Sequence, residues 1–328
     1  MGVGEVGLIT RAEIETLYRA LLKREPEDSK VVDQWRTIPT VSDLLEILIA
    51  SDEYQSQNSG LDSIVSRGAS LAWPACLIET EANPTDLDLL LKHIENSWTL
   101  LGQTEPYYSV LSTPAYLKNS FDQNELSFFE SGKEDVARMI SFFGRAGVKL
   151  PTNGVCFELG CGVGRLTRWL SGHFEEIIAA DISRSHLKLA ENNLIGNVPN
   201  GKISLIHLDS PERISEFNNY DLFFSLIVLQ HNPPPIMSHI LRAALRGLNQ
   251  GGFAYFQIPT YKLGYSFESS DYLGNLTQGG QMEMHVLPQR DIMHIIDQAG
   301  CKVLEVREDD YTGHTDGISN TFFVYKKH

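Results

Sequence analysis

A glycine-rich turn between two apolar segments is the feature that most constrains the fold of this chain. Residues 155–164 read Val-Cys-Phe-Glu-Leu-Gly-Cys-Gly-Val-Gly, and Asp181 closes the apolar segment 177–180. The sequence predicts a buried strand, a tight turn, a helix and a second strand that ends in an acid. Glycines in such a turn let a ligand approach the backbone closely, and the acid can accept hydrogen bonds from ribose hydroxyl groups. We therefore expect a site for a nucleotide-like cofactor at this turn.

The spacing of the glycines argues against a dinucleotide. The dinucleotide-binding pattern is Gly-x-Gly-x-x-Gly, and its third glycine would fall at position 165, which is Arg165. The glycines are instead Gly160, Gly162 and Gly164, with Glu158 two residues before the first. Together with the later acid, this pattern resembles motif I of the class I S-adenosylmethionine-dependent methyltransferases.

The resemblance covers about residues 125–328 and implies S-adenosyl-L-methionine as the cofactor. In that family the turn faces the methionine half of the cofactor, and the acid after the second strand binds its ribose. Around these two features the implied cofactor contacts are Glu158, Gly160, Cys161, Gly162, Gly164, Asp181 and Ile182. Further along, the resemblance implies that Asp209 bonds the adenine amino group beside Ser210, and that Leu226 lies at the methyl-transfer centre. A helix cap is the alternative role for Asp209.

Strands and helices alternate from residue 151 onward, which is typical of a parallel α/β sheet. We predict strands near 155–159, 177–181, 203–208, 221–227, 252–258, 302–307 and 320–326, and helices near 164–171, 183–193, 234–248 and 289–299. Only a short loop joins the last two strands, so they should pair antiparallel. The resemblance also implies a Rossmann-like seven-stranded sheet with an antiparallel last strand, here in a domain spanning 151–328 and preceded by a helical N-terminal domain.

The amino-terminal part of the chain is predicted to be helical. In residues 1–57 apolar side chains recur at helical spacing. The segments 17–26 and 51–54 resemble the phycobilisome-linker-like domain, a helical module of unknown function. The resemblance implies contact with a protein or glycan, and a protein partner or self-association through residues 8–57 is one expectation. A plain helical cap is the alternative.

Two further segments precede the sheet. Residues 58–84 contain glycines, prolines and small polar residues, which indicates a linker. Residues 85–150 regain helical spacing, and we interpret them as a lid or substrate region. A Pro-aromatic turn there makes Tyr107 and Tyr108 candidate substrate contacts.

Two histidines are candidate general bases. A hydroxyl or ammonium acceptor must lose a proton during methyl transfer, and histidine can accept one near neutral pH. His231 follows the fourth predicted strand, where a substrate would lie, and His285 is the second candidate. A structural hydrogen bond is the alternative role for His231. The segment 232–235 reads Asn-Pro-Pro-Pro and lacks the aromatic residue of adenine-amino methyltransferases, so base methylation is not expected.

A long insertion, residues 260–287, suggests a binding surface, since long loops in compact domains are usually functional. Its aromatic residues include Tyr261 and Tyr272, which we treat as candidate contacts for a sugar or a flat metabolite. The alternative is an ordered cover for the edge of the sheet.

Composition narrows the possible partners. The net charge of −15 makes nucleic acid an unlikely substrate on electrostatic grounds. No apolar run approaches the ~20 residues of a membrane helix, and residues 1–10 lack the features of a secretory signal. The four cysteines have no metal-ligand spacing. We therefore expect a cytoplasmic protein with reduced thiols, no metal site, no membrane and no nucleic acid.

These patterns together predict an enzyme that moves a methyl group to an oxygen or nitrogen of a small polar acceptor. A sugar or nucleotide-sugar is the leading candidate acceptor, on the strength of the aromatic insertion. A protein acceptor is one alternative, and a binding module that keeps the fold without the activity is another.

Overall fold

The computed structural model describes residues 9–49 except 23, residues 51, 53 and 54, and residues 74–327 except 199–201, 277 and 278. The chain divides into two compact units, Met1–Trp73 and Pro74–His328. Each unit has its own hydrophobic core, and each is considered separately below.

The described part of the amino-terminal unit is helical, as its sequence pattern indicates. Its helices are α1 (Arg11–Leu17), which continues as a π-helical turn over Tyr18–Leu22, α2 (Ser29–Trp35) and α3 (Val41–Ile49). Thr10 and Glu13 form a reciprocal capping box at the start of α1. The helices bury Ile14, Val32 and Leu44 against one another. This apolar cluster accounts for the helical spacing of the segment.

The second unit contains all of the described strands. These are β1 (Leu77–Ile78), β2 (Val155–Leu159), β3 (Glu176–Asp181), β4 (Lys202–His207), β5 (Tyr220–Ser225), β6 (Leu248–Lys262), β7 (Ser266–Phe267), β8 (Cys301–Asp309) and β9 (Gly317–Lys326). Its helices are α4 (Pro84–Thr104), α5 (Glu125–Ala146), α6 (Thr167–Leu170), α7 (Arg184–Leu194), α8 (Pro234–Gly247), α9 (Ser269–Gly274) and α10 (Gln289–Gln298). Short 3₁₀ turns lie at Pro211–Glu216 and Leu229–His231.

Seven strands form one sheet in the order β4-β3-β2-β5-β6-β9-β8. Strands β2 to β6 are parallel to one another, and β9 runs antiparallel to both β6 and β8. The Rossmann-like fold with an antiparallel last strand is therefore confirmed. The strand order reverses between β2 and β5, and in open α/β sheets ligands bind beyond the carboxyl ends of the strands at such a point.

Two apolar layers bury the two faces of the sheet. Phe157 and Phe223 point to one face and pack with Leu241 of α8 and Ile295 of α10. The residues that alternate with them along the same strands belong to the other layer, in which Phe142 and Phe143 of α5 pack against the opposite face of the sheet. Because both faces are covered, the central strands read as nearly continuous apolar runs.

Residues 74–84 correct the predicted linker. β1 pairs in parallel with β7, and a carboxylate oxygen of Glu79 accepts a hydrogen bond from the amide of Ser269 at 2.6 Å. The Asn83 side chain then caps α4. The linker prediction is wrong for these residues because their backbone pairs with that of the insertion, where the amide of Glu79 donates to the carbonyl oxygen of Phe267 at 2.9 Å. The rest of the predicted linker, 58–73, lies outside the described residues.

Candidate active site

A cleft lies at the carboxyl ends of the central strands, at the point where the strand order reverses. Its floor is made by residues that directly follow strands, and α4 contributes its other wall. The strand-end lining comprises Gly160, Cys161, Gly162, Asp181, Ile182, Leu208, Ser210, Leu226, Ile227 and Val228. From α4 come Leu91, Ile94 and Trp98. Most of the predicted cofactor contacts therefore meet in one cavity.

The turn after β2 requires its glycines. Gly160 has a φ of 76°, and a Cβ atom there would lie 2.2 Å from Cγ2 of Val228. Gly162 has a φ of 52°, and its Cβ would lie 3.0 Å from Cγ2 of Val110. Both backbone conformations disfavour side chains, and Gly164, with a φ of 85°, shares this constraint. The residues after it therefore enter a helix only at Thr167, three positions later than predicted.

Asp181 joins the end of β3 to this turn. Its Oδ2 accepts a hydrogen bond from the amide of Gly162 at 2.8 Å, and its Oδ1 accepts one from the amide of Ser183 at 2.7 Å. The residue is 8% exposed and lines the cleft. Each carboxylate oxygen has two lone pairs, so each can accept a further hydrogen bond from a ligand.

Glu158 is buried behind the turn. It is 1% exposed, and within the described structure neither of its carboxylate oxygens has a hydrogen-bond partner. Burial raises the pKa of Glu158 to about 7. The nearby Thr167 hydroxyl and the charge of Arg165 offset part of that rise, although neither meets hydrogen-bond geometry with the carboxylate. A buried carboxyl group without hydrogen-bond partners lowers the free energy of unfolding unless a ligand supplies a donor.

Arg165 is a functional candidate that sequence reasoning used only to exclude a dinucleotide. Its side chain is 3% exposed, and the residue lines the cleft. Nη1 donates to Oδ2 of Asp135 at 2.8 Å and to Oγ of Ser131 at 3.1 Å. Among the described residues nothing accepts a hydrogen bond from its Nε. The position directly after the glycine turn was the only sequence signal for this residue.

The structure does not place Asp209 in the cleft. Its side chain is 51% exposed and lies 3.8 Å from both Arg184 and His207. Ser210 and Leu208 line the cleft instead. Nor does Asp209 cap the following 3₁₀ turn, for which Ser210 is the capping position. The expected bond from Asp209 to adenine therefore stays a prediction.

His231 is held at both ring nitrogens. Nδ1 lies 2.8 Å from the backbone carbonyl oxygen of Glu283, and Nε2 lies 3.2 Å from the side-chain nitrogen of Gln230. Because a carbonyl only accepts, Nδ1 carries the proton and Nε2 accepts from the amide. Burial lowers the pKa of His231 to about 4. Its ring packs 5.1 Å from that of Trp98 in the cleft wall. This geometry favours the structural role over the general base.

His285 is enclosed in a polar and aromatic cluster. It is 5% exposed, with Nδ1 2.8 Å from the hydroxyl of Tyr265 and Nε2 3.1 Å from a carboxylate oxygen of Glu283. The hydrogen bond from His285 is the largest of the influences that lower the pKa of Glu283 to about 2. The same carboxylate lies 3.2 Å from Nε2 of His93 on α4. The cluster fastens the insertion to α4, and His285 is not part of the cleft lining.

The four predicted substrate tyrosines also lie outside the cleft lining. The ring of Tyr107 stacks on Phe121, and half-buried Tyr108 follows it in the same turn. Tyr261 donates to the backbone carbonyl of Pro74 at 2.7 Å, and Tyr272 donates to the Glu283 carboxylate. From the Pro-aromatic turn it is the next two residues, 109 and 110, that line the cleft.

A buried amide network supports the cleft wall beyond β5. Ile227 has a φ of 60°, which is rare for a β-branched residue. Its amide donates to Oε1 of Gln257 at 3.1 Å. The side-chain nitrogen of Gln257 donates in turn to Gln230 at 3.0 Å and to Ser319 at 2.7 Å. A glutamine within the apolar run 253–259 was the only sequence signal for this network.

The described residues contain neither a metal-ligand cluster nor a helix that could span a membrane. Across those ranges, no three His, Cys, Asp or Glu side chains are grouped so that they could hold a metal ion. In the same part of the chain, no helix combines the length and apolar character needed to cross a bilayer.

Comparison with known proteins agrees with the geometry of the cleft. Residues 157–252 match the family model described as a methyltransferase domain. This match confirms the methyltransferase-domain assignment for that part of the chain. It leaves the resemblance of the amino-terminal helices to the phycobilisome-linker-like domain without support.

One curated relative is similar over a short stretch. The phosphoethanolamine N-methyltransferase of Triticum aestivum is 28% identical over 100 residues, which are 30% of this chain and 20% of that protein. The similarity thus spans about a fifth of the length of the curated relative.

Solved structures with partial similarity include two methyltransferases. Magnesium protoporphyrin IX methyltransferase from Synechocystis PCC 6803 is 15% identical with a TM-score of 0.49, over 73% of this chain and 97% of that one. Phosphoethanolamine N-methyltransferase 2 from Haemonchus contortus is 15% identical with a TM-score of 0.46, over 68% of this chain and 60% of that one.

Proposed function

We propose that the chain is an S-adenosylmethionine-dependent methyltransferase whose cofactor binds in the cleft. The observation that carries this proposal is the hydrogen bond between the amide of Gly162 and the carboxylate of Asp181. It brings the glycine turn and the strand-end acid together beside one cavity. When bound, the cofactor supplies a methyl group on a positively charged sulfur, and methyl transfer is a displacement for which the protein mainly provides alignment.

The residues of the cleft fit this cofactor in chemical terms. Asp181 keeps lone pairs for ribose hydroxyl groups, and the glycines leave room for close approach to the backbone. Ile182 and Leu208 offer apolar surface for a flat adenine ring. Arg165 lines the cleft beside the glycine turn, whereas Glu158 is buried behind the turn and does not line it.

The proposed acceptor is a small polar molecule methylated on oxygen or nitrogen. The similarity to a phosphoethanolamine N-methyltransferase supports an amine of this size as one candidate. A sugar or nucleotide-sugar stays a candidate, but the insertion lends it less support than expected. Phe267 and Tyr272 of the insertion pack against His285, so these rings do not form an open stacking surface. Trp98 is the aromatic residue that lines the cleft.

Calorimetric titration with S-adenosylhomocysteine tests the cofactor assignment. We expect micromolar binding to the wild-type protein and a loss of at least tenfold in Asp181→Asn, which keeps the shape of the side chain. Asp316→Asn is the matched control, because the Asp316 side chain is 46% exposed and lies outside the cleft lining. No binding by folded wild-type protein, or equal effects of the two substitutions, would remove the basis of the proposal.

Transfer of labelled methyl groups tests the acceptor. A panel of phosphoethanolamine, nucleotide-sugars and lysine-containing peptides separates an amine, a sugar and a protein acceptor. The occupied nitrogens of His231 and His285 favour one second candidate, a cofactor-binding module without turnover. Tight cofactor binding with no transfer to any member of the panel would support that candidate over the enzyme.

A further inference from the structure

We propose that the cleft selects a methyl acceptor without phosphate, and that Asn232 is a specificity-determining residue that binds a polar hydrogen of this acceptor. Amines and hydroxyl compounds both carry such a hydrogen. The inference rests on the proposed function, which supplies the reaction. It narrows the class of acceptor, because phosphoethanolamine and nucleotide-sugars both carry phosphate.

The first observation is an accessible oxygen on a buried side chain. Asn232 is 7% exposed and lines the cleft. Its Nδ2 donates to the backbone carbonyl of Val228 at 2.8 Å. Because a carbonyl only accepts, this contact identifies the nitrogen of the amide and leaves Oδ1 on its other side. Oδ1 has no partner among the described residues, and it is not enclosed as the carboxylate oxygens of Glu158 are.

The second observation is the position of Asn232 relative to the proposed cofactor contacts. Asn232 follows β5, whereas Asp181 ends β3, and these two strands lie on opposite sides of β2. Val228 separates Asn232 from the glycine turn, since its carbonyl binds Asn232 and its side chain packs against Gly160. Oδ1 of Asn232 therefore lies away from the proposed ribose position and is available to a second molecule.

The third observation is the shortage of positive charge in the cleft. Arg165 is the only lysine or arginine among the described lining residues, and Asp135 already accepts a hydrogen bond from it. The lining residues nearest to Asn232 in the chain, Val228 and Ile236, are apolar. A phosphate enclosed here would lose hydration without gaining a free cation. An uncharged group that donates a hydrogen bond to Asn232 has no such penalty.

Acidic side chains next to the cleft strengthen the discrimination against phosphate. Glu95 lies beside a lining residue of α4, and Asp209 lies beside a lining residue that follows β4. Glu283 binds His231, the residue before Asn232, through its backbone carbonyl. The side chains of Glu95, Asp209 and Glu283 are 28%, 51% and 25% exposed. Negative charges at partly exposed positions repel a phosphate at short range.

The competing explanation is that Asn232 only stabilises the turn before α8. That role would belong to Nδ2, whereas recognition of the acceptor belongs to Oδ1. Asn232→Asp keeps a side-chain oxygen and loses the Nδ2 donor, and Asn232→Leu loses both. The two substitutions therefore separate the explanations. Asn197→Leu is the matched control, because Nδ2 of Asn197 also donates to the carbonyl four positions earlier, at an exposed site outside the cleft lining.

Matched acceptors test the proposed class with the wild-type full chain. Transfer of labelled methyl groups is measured for ethanolamine and phosphoethanolamine, and for glucosamine and glucosamine 6-phosphate. We expect kcat/KM to be at least about tenfold higher for a phosphate-free compound than for its phosphate ester, since the ester would bury an unpaired charge. A phosphate ester methylated as efficiently as its partner would overturn the inference. So would binding of S-adenosylhomocysteine without transfer to either phosphate-free compound. Failure to bind S-adenosylhomocysteine would instead overturn the proposed function.

The variants test the residue, with the phosphate-free compound that reacts best. We expect Asn232→Leu to lower kcat/KM about 10- to 100-fold, mainly through KM, because the hydrogen bond forms before the methyl group moves. Asn232→Asp should stay within about tenfold of the wild type, since it keeps the oxygen. Affinity for S-adenosylhomocysteine within about threefold of the wild type shows that each variant is folded. Equal losses in the two Asn232 variants, or a loss in Asn232→Leu no larger than in Asn197→Leu, would overturn the inference.

Discussion

Nδ1 of His231 lies 2.8 Å from the backbone carbonyl oxygen of Glu283. This contact joins the turn after β5 to the far end of the insertion, 52 positions later in the chain. The Glu283 side chain continues the connection to α4 through His93. The region beyond β5 is therefore held in place by histidines in structural roles, and this has a measurable consequence for stability.

The protein should lose stability as the pH falls below the ordinary pKa of histidine. Burial lowers the pKa of His231 to about 4, whereas in the unfolded chain it is about 6.5. Between these values the unfolded chain binds a proton that the folded chain excludes, so the free energy of unfolding falls with decreasing pH. We expect His231 to contribute on the order of 3 kcal/mol to this fall. Urea unfolding at pH 7 and pH 4.5 measures it.

The matched comparison for that measurement is His231→Gln, which can keep polar contacts but does not titrate. The variant should show a smaller loss of stability over the same pH interval than the wild-type protein. Replacement of His314, which is 46% exposed, serves as the control. Parallel pH curves for wild type and His231→Gln would show that this ring does not resist protonation in the fold.

Glu158 should make the opposite contribution. Burial raises its pKa to about 7 in the folded protein, from about 4.5. Its contribution to stability is therefore fully present below pH 4.5 and is lost as the pH rises toward 7. We expect Glu158→Gln to be more stable than the wild type at pH 8 by up to about 3 kcal/mol, and equally stable near pH 4.5. Thermal melts at both pH values measure this effect, and Glu212→Gln, at an exposed position, is the control. A difference in stability between Glu158→Gln and wild type that is the same at both pH values would contradict the prediction.

The fold could be predicted because its signals are local. Strands β2 to β6 each correspond to a short apolar run that can be recognised in the sequence by itself. The glycines after β2 fix the position of the turn that follows this strand. Asp181 could be predicted for the same reason, since the end of the strand that follows the turn brings an acid back to it.

The roles of the other side chains depended on distant partners that a sequence does not reveal. His285 resembles a catalytic histidine until Tyr265 and Glu283 are found at its two nitrogens. Residues 74–84 resemble a linker until their strand pairs with β7, about 190 positions later. Arg165 lacked a role because Asp135, 30 positions earlier, is what orients it.

Gly160→Ala should destabilise the protein more than an alanine at another glycine of similar conformation. Both Gly160 and Gly147 have positive φ, at 76° and 67°, so alanine strains the backbone at either position by about 1–2 kcal/mol. Nothing lies within 4 Å of a Cβ at Gly147, whereas at Gly160 it would meet Val228. Overpacking should add about 1–3 kcal/mol to the loss of stability at Gly160.

Urea unfolding of both variants measures the difference, and Val228→Ala in the Gly160→Ala background should recover part of it. Equal losses for the two glycines would show that the turn has room for a side chain.

The second unit should fold and bind cofactor without the first, provided that it begins at residue 74. A fragment spanning 74–328 retains the pairing of β1 with β7, the contact of Glu79 with Ser269 and the Asn83 cap of α4. A fragment spanning 85–328 lacks all three. Loss of the cap alone costs about 1 kcal/mol, and each kcal/mol lowers the melting temperature of a unit this size by about 2–4 °C.

We expect the longer fragment to match the affinity of the full chain for S-adenosylhomocysteine, and the shorter one to melt several degrees earlier. If the longer fragment binds ten times more weakly, the amino-terminal helices contribute to the cofactor site. If the two fragments melt together, residues 74–84 do not stabilise the unit.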